Sequence, residues 1–210
     1  MGETDPGFRR ILLVGTGALS VAFLPFWINW FKNSPRQGEL RVVLTRSARR
    51  FVSAEAVSVL SGRPVFVDDW GGPDGRGDGA GTPVPHVELA RWPDLVLVHP
   101  ATLDFVSRYA LGLADSPLLL ALHSTDALVG VAPALPPAAH RSPVVQGHLA
   151  ALRARPGVVV APTVSAISAS TGEEDDGGAA PLTELLALCT AARRAERNPS
   201  TGRKGEERSP

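Results

Sequence analysis

Ile11-Leu12-Leu13-Val14-Gly15-Thr16-Gly17-Ala18-Leu19-Ser20 decides how the rest of this 210-residue chain is read. It opens a run, from Ile11 to Phe31, without a charged residue, and Arg9-Arg10 precede it. An uncharged run of that length behind two arginines has the outline of a signal peptide or a membrane span. Its interior points elsewhere. Gly15, Thr16 and Gly17 break it early, Ser20, Pro25 and Asn29 break it again, and no small-residue cleavage site of the A-x-A kind follows. Four aliphatic residues ahead of Gly-Thr-Gly read instead as a buried strand feeding a glycine turn and then a helix. On this reading the chain neither enters a membrane nor is exported, and a cytoplasmic protein is expected.

The same pattern repeats downstream. Residues 40–44 form a second short apolar run, and residues 47–60 carry apolar side chains at a spacing that suits a one-sided helix. Residues 68–85 are crowded with Gly, Pro and Asp and read as a loop. Residues 95–98 are a third buried-type strand, and 101–113 look helical. Residues 118–122 and 129–132 are two further apolar runs, 144–155 a helix and 158–160 a strand. Residues 171–178, with Glu173, Glu174, Asp175 and Asp176, read as an acidic, glycine-flanked loop, and 182–194 as the last helix. Residues 196–210 lack apolar side chains and read as a disordered tail. Strands alternating with helices imply an α/β sandwich with a mainly parallel sheet. Continuous apolar strands are what a sheet covered on both faces requires.

Composition removes several kinds of chemistry. Lys+Arg and Asp+Glu are both 21, so no global charge draws the chain to nucleic acid or an anionic membrane. The single cysteine, Cys189, excludes an internal disulfide framework and a cysteine-based metal cluster within one chain. It falls among Leu185, Leu186 and Leu188, where a small buried hydrophobe is expected. Only Lys32 and Lys204 could supply lysine chemistry. No G-x-S-x-G elbow occurs, and the five histidines lack an H-x-x-x-H pair, so no metal site is expected. Demanding chemistry would then fall to a bound organic cofactor.

Ligands on parallel sheets sit at the carboxyl ends of strands. Residues 15–20 offer a partial G-x-G-x-x-G, with Ser20 at the third glycine position, that could bring backbone N–H groups to an anion. The second strand ends in Thr45-Arg46-Ser47, without the acid of a dinucleotide site. Thr45 and Ser47 suit hydroxyl contacts with a phosphate or ribityl chain, and equally a tight packing turn with a cap on the next helix. His86 closes the glycine-rich loop, where it could serve as an accessible acid/base or merely sit at the surface. His99 ends a strand and could be a satisfied core residue.

Taken in order, five stretches resemble the homo-oligomeric flavin-containing cysteine decarboxylases. That family includes phosphopantothenoylcysteine decarboxylase and the peptidyl-cysteine decarboxylases of lanthipeptide, linaridin and thioamitide biosynthesis. Gly15-Thr16-Gly17-Ala18-Leu19 resembles the first flavin-phosphate turn. Thr45-Arg46-Ser47-Ala48-Arg49-Arg50-Phe51-Val52 resembles the T/S-x-S-A-x-x-F-V stretch. His86-Val87-Glu88-Leu89 resembles the segment with the active-site histidine. Pro100-Ala101-Thr102-Leu103-Asp104-Phe105, with Gly112-Leu113-Ala114-Asp115 beyond it, resembles the P-A-S/T-A-N-T and G-x-x-D pair. Pro133-Ala134-Leu135-Pro136 stands where the family has P-x-M-N.

The resemblance implies a three-layer Rossmann-like (flavodoxin-like) fold, with a flavoprotein domain over residues 10–195 between a tail at 1–9 and one at 196–210. It implies flavin held by Gly15, Thr16, Gly17, Ala18, Leu19, Thr45, Ser47, Phe51, Pro100, Ala101, Thr102 and Asp104. FMN is the family's usual cofactor, and the long loop at 71–81 leaves FAD open. It implies acid/base work by His86, and substrate contacts from Pro133, Ala134, Leu135, Pro136, Ser165 and Ser168, the two serines on a flap at 163–178. The implied reaction oxidises the C-terminal cysteine of a ribosomally made precursor peptide and releases CO2. The aminoenethiol left would serve ring formation of the S-(2-aminovinyl)cysteine type, through this or a partner enzyme. Family members form trimers, often dodecamers. The stripe Phe23, Phe26, Trp27, Trp30 and Phe31 reads as interface or as core.

Three departures stand out: Asp104 and Pro136 replace family asparagines, and Ala139 replaces a methionine. The flap carries Ser165, Ser168 and Ser170 but no cysteine, which favours an oxidative outcome over the coenzyme A pathway reaction. Other classes stay open: a flavin prenyltransferase-like enzyme using Arg46, Arg49 and Arg50, an inactive flavin-binding subunit, and an NADP-binding oxidoreductase.

Overall fold

The computed structural model describes residues 7–34, 38–70, 85–167 and 171–197. Six strands make one sheet: β1 (Arg10–Gly15), β2 (Glu39–Thr45), β3 (Phe66–Asp68), β4 (Leu95–Thr102), β5 (Leu128–Ala134) and β6 (Val158–Val160). Their order is β3-β2-β1-β4-β5-β6 and every pairing is parallel. The chain order therefore reverses between β1 and β4.

Alternation along the strands explains the three layers, because successive side chains point to opposite faces. Leu12, Val14, Val96, Val98, Val129 and Val131 face one way. They pack against α3 (Pro85–Arg91), α4 (Leu103–Ala110), α5 (Pro117–Leu122) and α6 (Pro143–Arg153). Ile11, Leu13, Val42, Leu44, Leu95 and Leu97 face the other way, against α1 (Leu24–Asn33), α2 (Ala54–Ser61) and α7 (Leu182–Arg197). This is the expected α/β sandwich.

Three expectations need correction, and one apolar run gains its element type. The apolar run at 118–122 is helix, since Ser116 accepts from the Leu119 N–H and Pro117 occupies the first turn. The stretch 47–60 is not one helix. A 3-10 turn at Ala48–Arg50 ends, and Ser53 then caps α2 through the Ala56 N–H. The acidic stretch at 171–178 is largely strand: β8 (Glu174–Ala179) pairs antiparallel with β7 (Thr163–Ile167). Pairing overrides the poor strand propensity of Asp and Gly in this exposed ribbon. Phe8, within the expected tail, is buried beneath the Arg193 guanidinium, which lies 4.8 Å from its ring centroid.

The aromatic stripe divides. Phe31 belongs to the core, whereas Phe23 and Phe26 are 66% and 60% exposed. Among the described residues no helix is long and apolar enough to cross a membrane.

Gly130 sets how closely α7 approaches the sheet. A Cβ there would stand 2.6 Å from Cys189 Sγ and 3.1 Å from Leu185 and from Leu97. Burial pushes the Cys189 thiol up to about 12, which leaves it an unreactive packing group. Gly130→Val should cost about 1–3 kcal/mol through overpacking, read as a lower denaturant midpoint.

Candidate functional site

β1, β2, β3 and β4 end side by side, and residues at or just after their ends line a cavity of about 370 Å3. That volume lies in the range of small-molecule sites, roughly 300–1,000 Å3. Its walls fall into two chemical halves.

Hydroxyls make the first half. Thr45 and Ser47 hydrogen-bond each other at 3.2 Å, and Thr45 Oγ1 also accepts from the Ala48 N–H. Thr102 caps α4 by accepting from the Phe105 N–H. Thr16 lines the cavity, but its hydroxyl is already committed. It donates to the Pro100 carbonyl at 2.6 Å and accepts from the Thr102 N–H at 2.9 Å. Thr16 is thus the tie between the β1 turn and β4. Gly17 brings the β1 and β2 turns together, since a Cβ on it would stand 2.5 Å from both Cβ and Oγ of Ser47.

Charges make the second half. Asp68, Asp69, Asp104 and Asp115 share the walls with Arg46 and Arg108. Arg46 makes a two-point ion pair with Asp69. Arg108 pairs with Asp115 and stands 3.5 Å from Asp104. The Arg108 hydrogen bond holds the Asp115 carboxyl below the usual range. Burial pushes the Asp68 carboxyl up, while the Leu118 N–H and Ser116 oppose that shift. Trp70 completes the wall and donates its indole N–H to the Asp115 carbonyl at 2.9 Å.

Of the expected cofactor residues, the structure gathers Thr16, Thr45, Ser47, Thr102 and Asp104 on the cavity, with Gly17 packed against Ser47. Gly15, Ala18, Leu19, Phe51, Pro100 and Ala101 do not line it. Leu19 and Phe51 are exposed, whereas Pro100 and Ala101 are buried in β4. His86 stands one ring away. It sits in the first turn of α3 with its ring edge-on to Trp70, centroids 5.8 Å apart. Its Nδ1 is buried without a hydrogen-bond partner among the described residues. His99 is a satisfied core residue, donating to the Ala180 carbonyl at 3.0 Å. Among the described residues no three His, Cys, Asp or Glu side chains are grouped to hold a metal ion.

The expected substrate segments form a second group beside the cavity. Pro133 and Ala134 on β5 pair with Ala101 and Thr102 on β4. The β7–β8 hairpin docks on the turn that follows, through the Leu135 N–H to the Gly177 carbonyl at 2.8 Å. Asp175 reinforces that dock. Its carboxylate accepts from the Ala138 and Gly177 N–H groups, and His140 Nδ1 lies 3.3 Å from it. Ser165 hydrogen-bonds Glu174 within the hairpin. Ser168 lies outside the described residues. None of these substrate residues lines the cavity itself.

The Ala138 N–H, then the Gly177 N–H with His140 and Arg141 nearby, hold the Asp175 carboxyl below the ordinary aspartate range. A depressed carboxyl stabilises the closed form above its unfolded value, and that contribution is lost as pH falls through the folded one. Amide protection of β7–β8 should therefore fall below about pH 4. Asp175→Asn should lower it already at neutral pH. Equal protection in both proteins at every pH would show that the carboxylate holds nothing.

Residues 2–194 match the Flavoprotein family. The cypemycin cysteine dehydrogenase (decarboxylating) of a Streptomyces species is 34% identical over 193 residues, 91% of this chain and 92% of that protein. The crystal structure of the cypemycin decarboxylase CypD superposes with a TM-score of 0.67 at 30% identity, covering 90% of this chain and 96% of that one. The FMN-dependent cysteine decarboxylase TvaF of thioviridamide biosynthesis superposes with a TM-score of 0.66 at 25% identity, covering 88% and 98%.

Proposed function

This chain belongs to the Flavoprotein family, and from that premise we propose that it is a flavin-dependent peptidyl-cysteine decarboxylase. Its substrate is a ribosomally made precursor peptide ending in cysteine. The observation that carries the proposal is the cavity itself: a hydroxyl-rich pocket at the strand ends, in a chain similar over nearly its full length to an enzyme named for this reaction.

The pocket fits a flavin mononucleotide. The Gly17 turn with Thr45 and Ser47 suits the phosphate and ribityl end, because hydroxyls line it and Gly17 lets the β1 turn lie directly against Ser47. Thr102 and Asp104 suit the remaining polar groups. Arg46 and Arg108 are spent on carboxylates.

A flavin held there would supply a two-electron oxidant for the cysteine side chain, whose two protons must also be carried away. The resulting thioaldehyde stands β to the carboxylate, so the C–C bond electrons can move into it as CO2 leaves. A proton then completes the enethiol. His86 moves the protons at the rim. The turn at 133–138 and the docked hairpin hold the peptide end against the cavity. The flap region carries serines and no cysteine, which supports release of the unsaturated thiol. Exposed Phe23 and Phe26 support assembly as a homo-oligomer, a trimer or a dodecamer, and the site of action is the cytoplasm, where the precursor is made.

The test is the visible spectrum of the purified protein, followed by mass spectrometry of a cysteine-terminated peptide. A bound FMN and loss of one CO2 and two hydrogens are expected. A colourless protein that takes up no added flavin would remove the proposal.

A further inference from the structure

We infer that Trp70 is the positioning residue for His86, holding the imidazole at the rim of the cavity; this rests on the acid/base role proposed above. Trp70 lines the cavity and touches His86 at once, with ring centroids 5.8 Å apart and planes at 65°. The buried His86 Nδ1 finds no hydrogen-bond partner among the described residues, so that nitrogen does not set the rotation of the ring. The Trp70 ring supplies the constraint instead. Trp70 is itself anchored through its N–H to the Asp115 carbonyl at 2.9 Å, and Arg108 of α4 grips the Asp115 side chain. The two residues before it are also pinned, Asp68 by the Leu118 N–H and Asp69 by Arg46. A line of fixed contacts therefore runs from the α4–α5 link through the indole to the histidine. A reacting group misplaced by about 1 Å can lose about a hundredfold in rate, so such a line matters to catalysis.

Trp70→Ala and Trp70→Phe are compared with the unaltered holoprotein for flavin content, kcat and KM on a cysteine-terminated peptide, and the NMR line shape of the His86 ring. Trp70→Ala should retain flavin, leave KM within about threefold, lower kcat by about tenfold to a hundredfold and broaden the His86 signals. Trp70→Phe keeps an aromatic edge and should recover most of kcat. Loss of flavin or a raised KM with kcat intact would make Trp70 only a cavity wall and overturn the inference, as would unchanged kinetics in Trp70→Ala. His86→Asn is run alongside: if it stays active, the acid/base reading of His86 fails instead.

Discussion

His86→Asn should keep its flavin and lose decarboxylation by about a hundredfold to ten-thousandfold, the usual worth of a positioned acid/base. The two effects separate because of where the residue lies. His86 does not line the cavity, so its replacement leaves Thr16, Thr45, Ser47 and Thr102 in place to hold the cofactor. Asparagine retains a polar atom near the position of Nδ1 and roughly the length of the side chain, but exchanges no proton near neutrality. It also preserves the start of α3, where His86 follows Pro85 and leaves the buried Leu89 and Ala90 undisturbed. Flavin content is read from the visible spectrum, and turnover from the decarboxylated peptide. Wild-type turnover would remove His86 from the mechanism. Loss of flavin together with turnover would make it a structural residue of the pocket.

The sheet was legible because buried parallel strands carry unbroken apolar runs, and Ile11–Val14, Val42–Leu44 and Leu95–Val98 each show one. The same signal is ambiguous at α5. Pro-Leu-Leu-Leu-Ala-Leu is buried almost all round, so it lacks the polar face that distinguishes helix from strand. The β7–β8 ribbon was illegible for the opposite reason: it is exposed and rich in acids and glycine, and only pairing and docking on the Leu135 turn make it a strand.

The site divided along similar lines. Strand-end hydroxyls and glycines announce themselves by position, and Asp104 and Asp115 by the family resemblance, whereas Asp68 and Asp69 do not. Asp68, Asp69 and Trp70 open a stretch that composition marks as loop, and α4 brings Arg108 to Asp115 from the far side of the pocket. Thr16 shows the limit of motif reasoning. Its place in the turn was evident, but the commitment of its hydroxyl to Pro100 and Thr102 depends on a contact 84 to 86 residues away.

Gly17→Ala should weaken flavin binding by at least about tenfold, about 1.4 kcal/mol, while the fold survives. The glycine is needed for space. A Cβ would sit 2.5 Å from both the Cβ and the Oγ of Ser47, and 3.3 Å from the Ser47 carbonyl carbon. The first two atoms belong to a short side chain that no rotation of χ1 moves clear, because the Cβ itself is in the way. The β1 and β2 turns must therefore part, and the hydroxyls of Thr45 and Ser47 leave the positions in which they face the cavity. The rest of the β1 end resists, since Thr16 stays tied to β4 on the other side. That confines the damage to the pocket. The same geometry specifies a rescue. Ser47→Gly deletes both offending atoms, so the double variant should regain affinity that Gly17→Ala alone loses, even though Ser47→Gly alone also weakens binding. Titration of the four proteins with FMN, followed by fluorescence quenching, completes the cycle. A favourable coupling between the two sites is expected. Strictly additive losses would mean that the close approach of the two turns does not shape the site.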